Sequence, residues 1–277
     1  MENNIAVLGP KDTFSDCAAQ EFLKNHPQLT AKISYHKTIR KVFEDLTARN
    51  SQIAVVPIEN MLEGFVGMTL DALFDFPVKI AEELILPIQF SFLSNLEHSK
   101  IKKIFTHPIS EKQCLDFLEK FPFAEIVYTD SNIDSFEKLK EFEDCGAIVP
   151  SHIFDENKEN FKFSFQNIAD NPNNNTRFLV LKEDRFFQTL KYDKTSVVIF
   201  DNEDAPGILL NIAKAFASRG VNMTSIISRP TKQNIGKYHF FIDIKGSIQS
   251  DSVQEALAEI GENYPVKILG CYKSANE

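Results

Sequence analysis

The sequence predicts an α/β protein in two parts: two strand–helix lobes facing one cleft over about residues 1–185, then a smaller βαββαβ unit over 194–272. Three observations predict it. Apolar strand patterns alternate with amphipathic helix patterns from Ile5 onward, which is the signature of a layered α/β sheet. The alternation recurs after about residue 79, so the first part reads as two lobes, roughly 1–78 with 166–185, and 79–165. Between Arg185 and Lys194 the chain is charged and weakly patterned, and a separate set of elements follows.

Ile5–Leu8 is a short apolar strand that stops at Gly9-Pro10. Thr13 then caps a helix bearing Phe14, Cys17, Ala18, Phe22 and Leu23 at helical spacing. A strand near Ala31–Tyr35 and a helix near Ile39–Ala48 lead to the strand Ile53–Val56, an order that implies a parallel sheet. Its strand ends at Gly9-Pro10 and at Pro57-Ile58-Glu59-Asn60 should face one crevice. Lys79–Ser94 is long and strand-like, and Ile104-Phe105 ends at Thr106-His107-Pro108. A helix with Cys114, Leu115, Phe117 and Leu118 follows, then strand Glu125–Tyr128, helix Ser135–Phe142 and strand Ala147–Val149. Asp170–Asn175 is rich in Asn and Pro and reads as a loop beside the cleft. In the second part, Thr195–Phe200 is a strand and Pro206 fits the first turn of a helix. Ile208, Leu209, Ile212, Ala215 and Phe216 give that helix its apolar face, and Gly220 ends it. Strands Asn222–Ser228 and Tyr238–Ile244 flank a turn at Gln233–Gly236. A helix with Val253, Leu257 and Ile260, and a strand Val266–Leu269, complete a ferredoxin-like half-sandwich. Being small, this unit is expected to pair a sheet face or edge with a second copy.

Composition narrows the function. A length of 277 residues, 43 % hydrophobic and 25 % charged, suits two or three soluble globular units. A formal charge of −9 excludes non-specific nucleic-acid binding, which needs a basic face. No apolar run approaches the ~18 residues of a membrane span. The N-terminus lacks the basic start and apolar region of a signal peptide. Cys17, Cys114, Cys145 and Cys271 are scattered, without a Cys-x-x-Cys pair or His at metal spacing. They read as reduced thiols of a cytoplasmic protein with no metal or cofactor.

The densest chemistry is Asn174-Asn-Thr-Arg-Phe178, where a hydroxyl, a guanidinium and amides crowd the mouth of the apolar strand Phe178–Leu181. Only six arginines are present, and on an acidic chain Arg177 and Arg229 stand out as partners for an anion. Arg177 either binds a substrate carboxylate or braces the loop through a carboxylate such as Glu59. Thr13 and Ser15 at a helix N-terminus are either anion donors or caps, and His107 before Pro108 reads as a turn residue.

At these residues the chain resembles the monofunctional prephenate dehydratases that carry a C-terminal ACT regulatory domain. The matching stretches are Gly9-Pro-Lys-Asp-Thr-Phe-Ser15, Val56-Pro-Ile-Glu-Asn60 with Gly64, Thr69-Leu-Asp-Ala-Leu73, His107-Pro108 with Gln113-Cys114, and Asn175-Thr-Arg-Phe178. In the second part they are Pro206-Gly-Ile-Leu209, Val221-Asn-Met-Thr224, Ser228-Arg-Pro230 and Phe240-Phe-Ile-Asp243. The resemblance implies a catalytic part like the type II periplasmic binding proteins, with the Thr-Arg-Phe segment rejoining the first lobe. It implies decarboxylative dehydration of prephenate to phenylpyruvate, feedback by phenylalanine bound between two ACT domains, and a homodimer or homotetramer. No chorismate mutase segment precedes Ile5, so the monofunctional form is expected.

By motif match, the resemblance implies that Thr176 assists departure of the ring hydroxyl, and that Asn60 and Gln113 line the catalytic cleft. It implies substrate contacts at Thr13, Ser15, Glu59, Thr106, Asn175, Arg177 and Phe178, with Phe178 packing beneath the site. The effector site it implies comprises Gly207, Ile208, Leu209, Asn222, Met223, Thr224, Ser228, Arg229 and Pro230. The chain departs from the family pattern at Asp12, where glycine is usual, and at Met61, Thr106, Ile109 and Ile227, where serine, serine, glutamine and glutamate are usual. The helix start near Asp130–Phe136 also lacks the family's Ser-x-Thr-Ala pattern. These departures motivate two alternatives: a non-catalytic amino-acid sensor keeping the cleft and ACT dimer, and an arogenate-using dehydratase.

Overall fold

The computed structural model describes residues 3–184, 192–200, 206–231 and 237–275, so the Gln233–Gly236 turn and most of the stretch separating the two parts lie outside the described residues. The first sheet is built from β1 (Asn3–Leu8), β2 (Ala31–His36), β3 (Ile53–Asn60), β4 (Gly64–Phe65), β5 (Val78–Pro87) and β11 (Asn175–Glu183). Its order is β2-β1-β3-β11-β5, with β4 paired to β3. The chain leaves this lobe after β5, builds a second sheet, and returns to insert β11 between β3 and β5.

The second sheet runs β10-β6-β9-β7-β8, from β6 (Phe90–Ser94), β7 (Lys103–Thr106), β8 (Glu125–Tyr128), β9 (Cys145–Pro150) and β10 (Phe163–Phe165). The strand-like run from Lys79 is therefore two strands in different sheets, broken at Pro87-Ile88-Gln89. The lobe boundary lies there rather than at residue 79, because β5 pairs with β11 along its whole length. Both sheets are mixed, which corrects the parallel sheet expected from the alternation. β1, β2 and β3 run parallel, as do β7, β8 and β9, whereas the crossing and returning strands β5, β6, β10 and β11 pair antiparallel.

The faces of β11 bury different partners. Phe178 and Val180 pack with Ala18, Ala19 and Phe22 of α1 (Phe14–Asn25). Leu179 and Leu181 face the other way, onto α2 (Ile39–Thr47), α3 (Gly67–Asp75) and the C-terminal unit. The register skips Ile58 on β3 and Ala81 on β5, so the irregularities lie on the partner strands and β11 keeps its alternation. In the second lobe the sheet is flanked by the short α4 (Pro108–Lys112) and α5 (Leu115–Leu118), by α6 (Asn132–Glu141) and by α7 (Ser151–Asn157). The expected single helix around Cys114 is two pieces, interrupted at Gln113-Cys114.

The C-terminal unit follows the βαββαβ order: β12 (Lys194–Phe200), α8 (Ile208–Ala217), β13 (Met223–Pro230), β14 (Tyr238–Lys245), α9 (Asp251–Gly261) and β15 (Val266–Tyr272). Its sheet order is β13-β14-β12-β15. Val197, Ile199, Phe240, Ile242 and Ile244 bury one face against α8 and α9. Val198, Phe241, Leu269 and Tyr272 bury the other face against the first lobe. Each such side chain removed from water contributes roughly 1.5–3 kcal/mol. The face expected to meet a second copy is thus covered by the chain's own first lobe, and β13 is left as the outer strand.

Polar contacts fix this docking. Arg229 makes a two-nitrogen ion pair with Asp71 on α3 (3.0–3.2 Å), and its guanidinium occupies the space a side chain at Gly67 would fill. Lys267 Nζ donates to the carbonyls of Leu73, Phe74 and Phe76 at the end of α3 (2.8–2.9 Å). His239 stacks on Phe74 with ring centroids 4.0 Å apart. Gly270 brings β15 so close to β5 that a Cβ there would sit 2.3 Å from the Ile80 carbonyl oxygen. Gly270→Ala is therefore expected to cost about 1–3 kcal/mol of stability by overpacking, read as a lower midpoint of chemical unfolding.

Candidate active site

Antiparallel pairing of β11 with β3 sets Thr176 opposite Asn60. Asn60 Oδ1 accepts from the backbone N–H groups of Leu62 and Glu63 (3.0 Å each), which fixes the orientation of its amide. Its Nδ2 then donates to Thr176 Oγ1 (2.8 Å) and to Asn174 Oδ1 (3.0 Å). Asn174 Nδ2 in turn donates to Gln113 Oε1 across the lobes (2.9 Å). The order of donors has a chemical consequence. Because Thr176 Oγ1 accepts from Asn60, its own proton is free to be given elsewhere. Because Gln113 Oε1 is occupied, its Nε2 is the end that can donate.

The network sits where the two crossing segments pass each other. Ile88 N donates to the Asn174 carbonyl (2.8 Å), Gln89 Nε2 to the Pro172 carbonyl (2.7 Å), and Asp170 N to the Gln113 carbonyl (2.8 Å). Asp170 also caps α5 by accepting from Leu115 N and Asp116 N (2.8 and 3.2 Å). Thr176, Gln113 and Asn174 are nearly buried, with 8 %, 5 % and 1 % of their surface exposed. A hydroxyl and amides so placed are held by neighbours rather than by water, and their orientation is set before any ligand arrives.

The remaining expected substrate contacts fall into two groups. Ser15 is buried on α1, the helix packed on the Thr176 face, and Phe178 is buried beneath that face. The others are engaged elsewhere. Thr13 Oγ1 donates back to the Pro10 carbonyl (3.0 Å), and Thr106 is fully buried with its hydroxyl on the His107 carbonyl (3.2 Å). Asn175 Nδ2 donates to the Asn173 carbonyl (2.9 Å), bracing the loop. Arg177 and Glu59 lie on the opposite face of the sheet from Thr176, so neither meets a ligand held there. Arg177 pairs with Glu59 (3.0 Å), Glu83 (3.2 Å) and Asp243 of the C-terminal unit (2.9 Å). Of its two readings, the brace is the one the geometry shows. Those carboxylates, with the Tyr272 hydroxyl, hold its pKa well above the ordinary arginine value despite burial.

The departures from the family pattern also acquire places. Asp12 has φ +64°, the left-handed region in which glycine is unstrained and aspartate tolerated. Its carbonyl accepts from His152 Nε2 of the second lobe (2.8 Å). Met61 and Ile109 are exposed, and Ile227 packs into the core between lobe and C-terminal unit. His107 Nδ1 accepts from Ile109 N (3.3 Å), and burial pushes its pKa down, so it serves as a neutral cap. Cys17 is pushed up to about 12, mainly by burial and then by Asp16 and Asp12, and is held as a thiol. Among the described residues, no group of three His, Cys, Asp or Glu is arranged to hold a metal ion.

In the C-terminal unit, Gly207 precedes α8 with φ +94°, Ile208 is buried in the core, and Leu209 is exposed. Along β13 exposed and half-buried residues alternate, with Asn222, Thr224, Ser228 and Pro230 exposed and Met223 packed toward the core. Arg229 departs from this set, because its guanidinium is held by Asp71 of the first lobe.

These features define a class: two α/β lobes joined by two crossing segments around a polar amide–hydroxyl network, carrying a sheet of ACT type. Residues 5–185 match the family model for prephenate dehydratase, and residues 196–262 match that for the ACT domain. The chain belongs to the prephenate dehydratase family. The prephenate dehydratase of Methanocaldococcus jannaschii is 34 % identical over 277 residues, covering 98 % of each chain. The crystal structure of prephenate dehydratase in complex with L-Phe from Arthrobacter aurescens is 33 % identical with a TM-score of 0.85, covering 98 % of this chain and 90 % of that one. The fold is shared more widely: GqqA, described as a novel type of quorum quenching acylase, has a TM-score of 0.84 at 20 % identity over 99 % of this chain and 98 % of that one.

Motif matching gave site roles to Thr176, Asn60 and Gln113 but none to Asn174, the amide of the same polar cluster that joins them. Its signal was present as the middle of Asn173-Asn174-Asn175, yet three identical neighbours do not say which one turns inward. Asn174→Ala leaves the Gln113 and Asn60 amides short of a buried partner. It is expected to cost about 1–3 kcal/mol, measurable by urea unfolding.

Proposed function

We propose that this chain converts prephenate to phenylpyruvate, with loss of carbon dioxide and the ring hydroxyl. A shared fold does not select a reaction, so the reading rests on one observation: Thr176 Oγ1 accepts from Asn60 and keeps its own proton to give. As the C–C bond to the departing carboxylate breaks, its electron pair enters the ring and the ring C–O bond breaks. The leaving oxygen gains the basicity of hydroxide. A threonine hydroxyl is too weak an acid to ionise beforehand, but it donates a hydrogen bond that strengthens as that charge develops, and a proton late in the step. Solvent then restores the proton. Such assistance is worth about 10²–10⁴-fold.

The substrate is a dianion, and Arg177 is spent on the opposite face. Its carboxylates meet neutral donors instead: Gln113 Nε2, Ser15, and the N-terminal end of α1, where the helix dipole favours an anion. Thr176→Val is expected to lower turnover of prephenate by about 10²-fold or more, whereas Thr176→Ser keeps most of it. The measurement is phenylpyruvate formation by purified full-length protein. Undiminished turnover in the valine variant would remove the mechanism, and ligand binding without turnover by the wild type would leave a sensor.

For regulation, phenylalanine bound where β13 meets a second copy of the chain is the reading the fold favours. β15 is covered by the first lobe, while β13 presents Asn222, Thr224, Ile226 and Ser228 on its outward side. Phenylalanine should lower turnover with a coupling of about 1–3 kcal/mol between sites. Ile226→Lys, which puts a charge on that outer strand, should abolish the response and lower the mass measured by light scattering. A full response from a monomeric variant would exclude the shared site.

A further inference from the structure

Thr176 and Arg177 are adjacent on β11 but face opposite ways, and they are the point where the two parts of the chain touch the proposed chemistry most directly. The ladder with β3 is irregular there, because between Arg177 and Phe178 it skips Ile58, whereas β5 pairs with the same stretch without a break. Arg177 adds a side-chain constraint to that pairing. Its Nη1 donates to Asp243 Oδ2 (2.9 Å) and Glu83 Oε2 (3.2 Å), and its Nε and Nη2 reach Glu59 Oε2 (3.2 and 3.0 Å). Lys194 Nζ bonds Glu83 Oε2 (2.8 Å) and lies 3.7 Å from Asp243 Oδ2. Two cations thus share three carboxylates.

Asp243 is the carboxylate that the C-terminal unit contributes to this cluster, and it is itself held from behind. Its Oδ1 accepts from Ser196 Oγ (2.5 Å), and Ser196 Oγ lies 2.7 Å from the Tyr272 hydroxyl. Ser196 and Tyr272 are essentially buried, so three strands of the ACT domain orient one carboxylate toward β11. A charged hydrogen bond to a buried partner fixes position as well as charge.

We infer that Asp243, a residue of the regulatory domain, is a positioning residue for the dehydratase reaction: by fixing Arg177 it sets the placement of the Thr176 hydroxyl on the opposite face of the same strand. This rests on the proposed role of Thr176. The ACT domain therefore completes the catalytic strand in the absence of any effector, a role separate from feedback.

The test is a double-mutant cycle on the full-length protein with prephenate as substrate. Misplacing a reacting group by about 1 Å can cost about 10²-fold. Asp243→Ala is accordingly expected to lower kcat by about tenfold or more, with KM changed less than about threefold. Lys267→Met removes a different set of contacts between the same two domains, to the end of α3 rather than to β11. It should leave kcat close to wild type. In a Thr176→Val background, Asp243→Ala should add no further loss, because its effect passes through the group already removed. Three results overturn the inference: kcat of Asp243→Ala within about twofold of wild type, an equal loss in Lys267→Met, or full additivity with Thr176→Val. Should Thr176→Val itself retain activity, the mechanism fails rather than this inference alone, so the two failures are distinguishable. If Asp243→Ala does not fold, Asp243→Asn carries the same cycle, keeping an oxygen for Arg177 while removing the charge. A fall in kcat at constant KM supports the inference there, and unchanged kcat overturns it.

Discussion

The antiparallel insertion of β11 between β3 and β5 is the constraint on which the remainder of the molecule depends. It brings together Asn60 and Thr176, which are 116 positions apart in the chain, and it does so from the backbone, since opposite residues of an antiparallel pair have Cβ atoms about 4.5–5.5 Å apart. The second lobe is built in the chain between β5 and β11, two paired strands of this insertion, so its position relative to the hydroxyl is set by the same ladder. The Asn174–Gln113 bond then ties the lobes across the crossing segments. One register error on β11 would turn Thr176 away from Asn60 and at the same time drive the Arg177 guanidinium into the apolar face that α1 covers.

Strand alternation divides the labour. Even positions 176, 178 and 180 serve the face that α1 covers, and odd positions 177, 179 and 181 serve the face that meets the ACT sheet. The proposed chemistry and the ACT sheet are thus on the two sides of one strand, separated by the thickness of a peptide backbone. Thr224 of β13 donates to the Asp243 carbonyl (3.3 Å), and the Asp243 side chain holds Arg177. The outer strand proposed for the effector is therefore joined through one residue to the strand bearing the Thr176 hydroxyl.

Much of this was legible in the residues. Helical spacing at Phe14–Leu23 and the βαββαβ order after residue 194 reflect local physics, and both elements formed where expected. Thr176, Asn60 and Gln113, named by motif, lie in one hydrogen-bonded network. What was not legible was sidedness. Glu59 and Asn60 are neighbours of similar polarity, and only the skipped residue at Ile58 and the pairing partner decide which of them faces Thr176. The lobe boundary was misplaced because Lys79–Ser94 is apolar enough to read as one strand, although Pro87 marks the break. Arg229 was read with its neighbours on β13, but its partner, Asp71, lies on an element 158 positions earlier, which no local pattern can reveal.

The burial of the ACT sheet on both faces bears on how control could be lost. A regulatory module joined only by a tether could be cut away to leave an unregulated enzyme. Here Val198, Phe241, Leu269 and Tyr272 fill a core shared with Leu179 and Leu181, and removal would strip one wall from that core. With the effector at the outer strand as proposed, release from feedback would arise by altering single side chains there, with the module itself retained as one wall of that core.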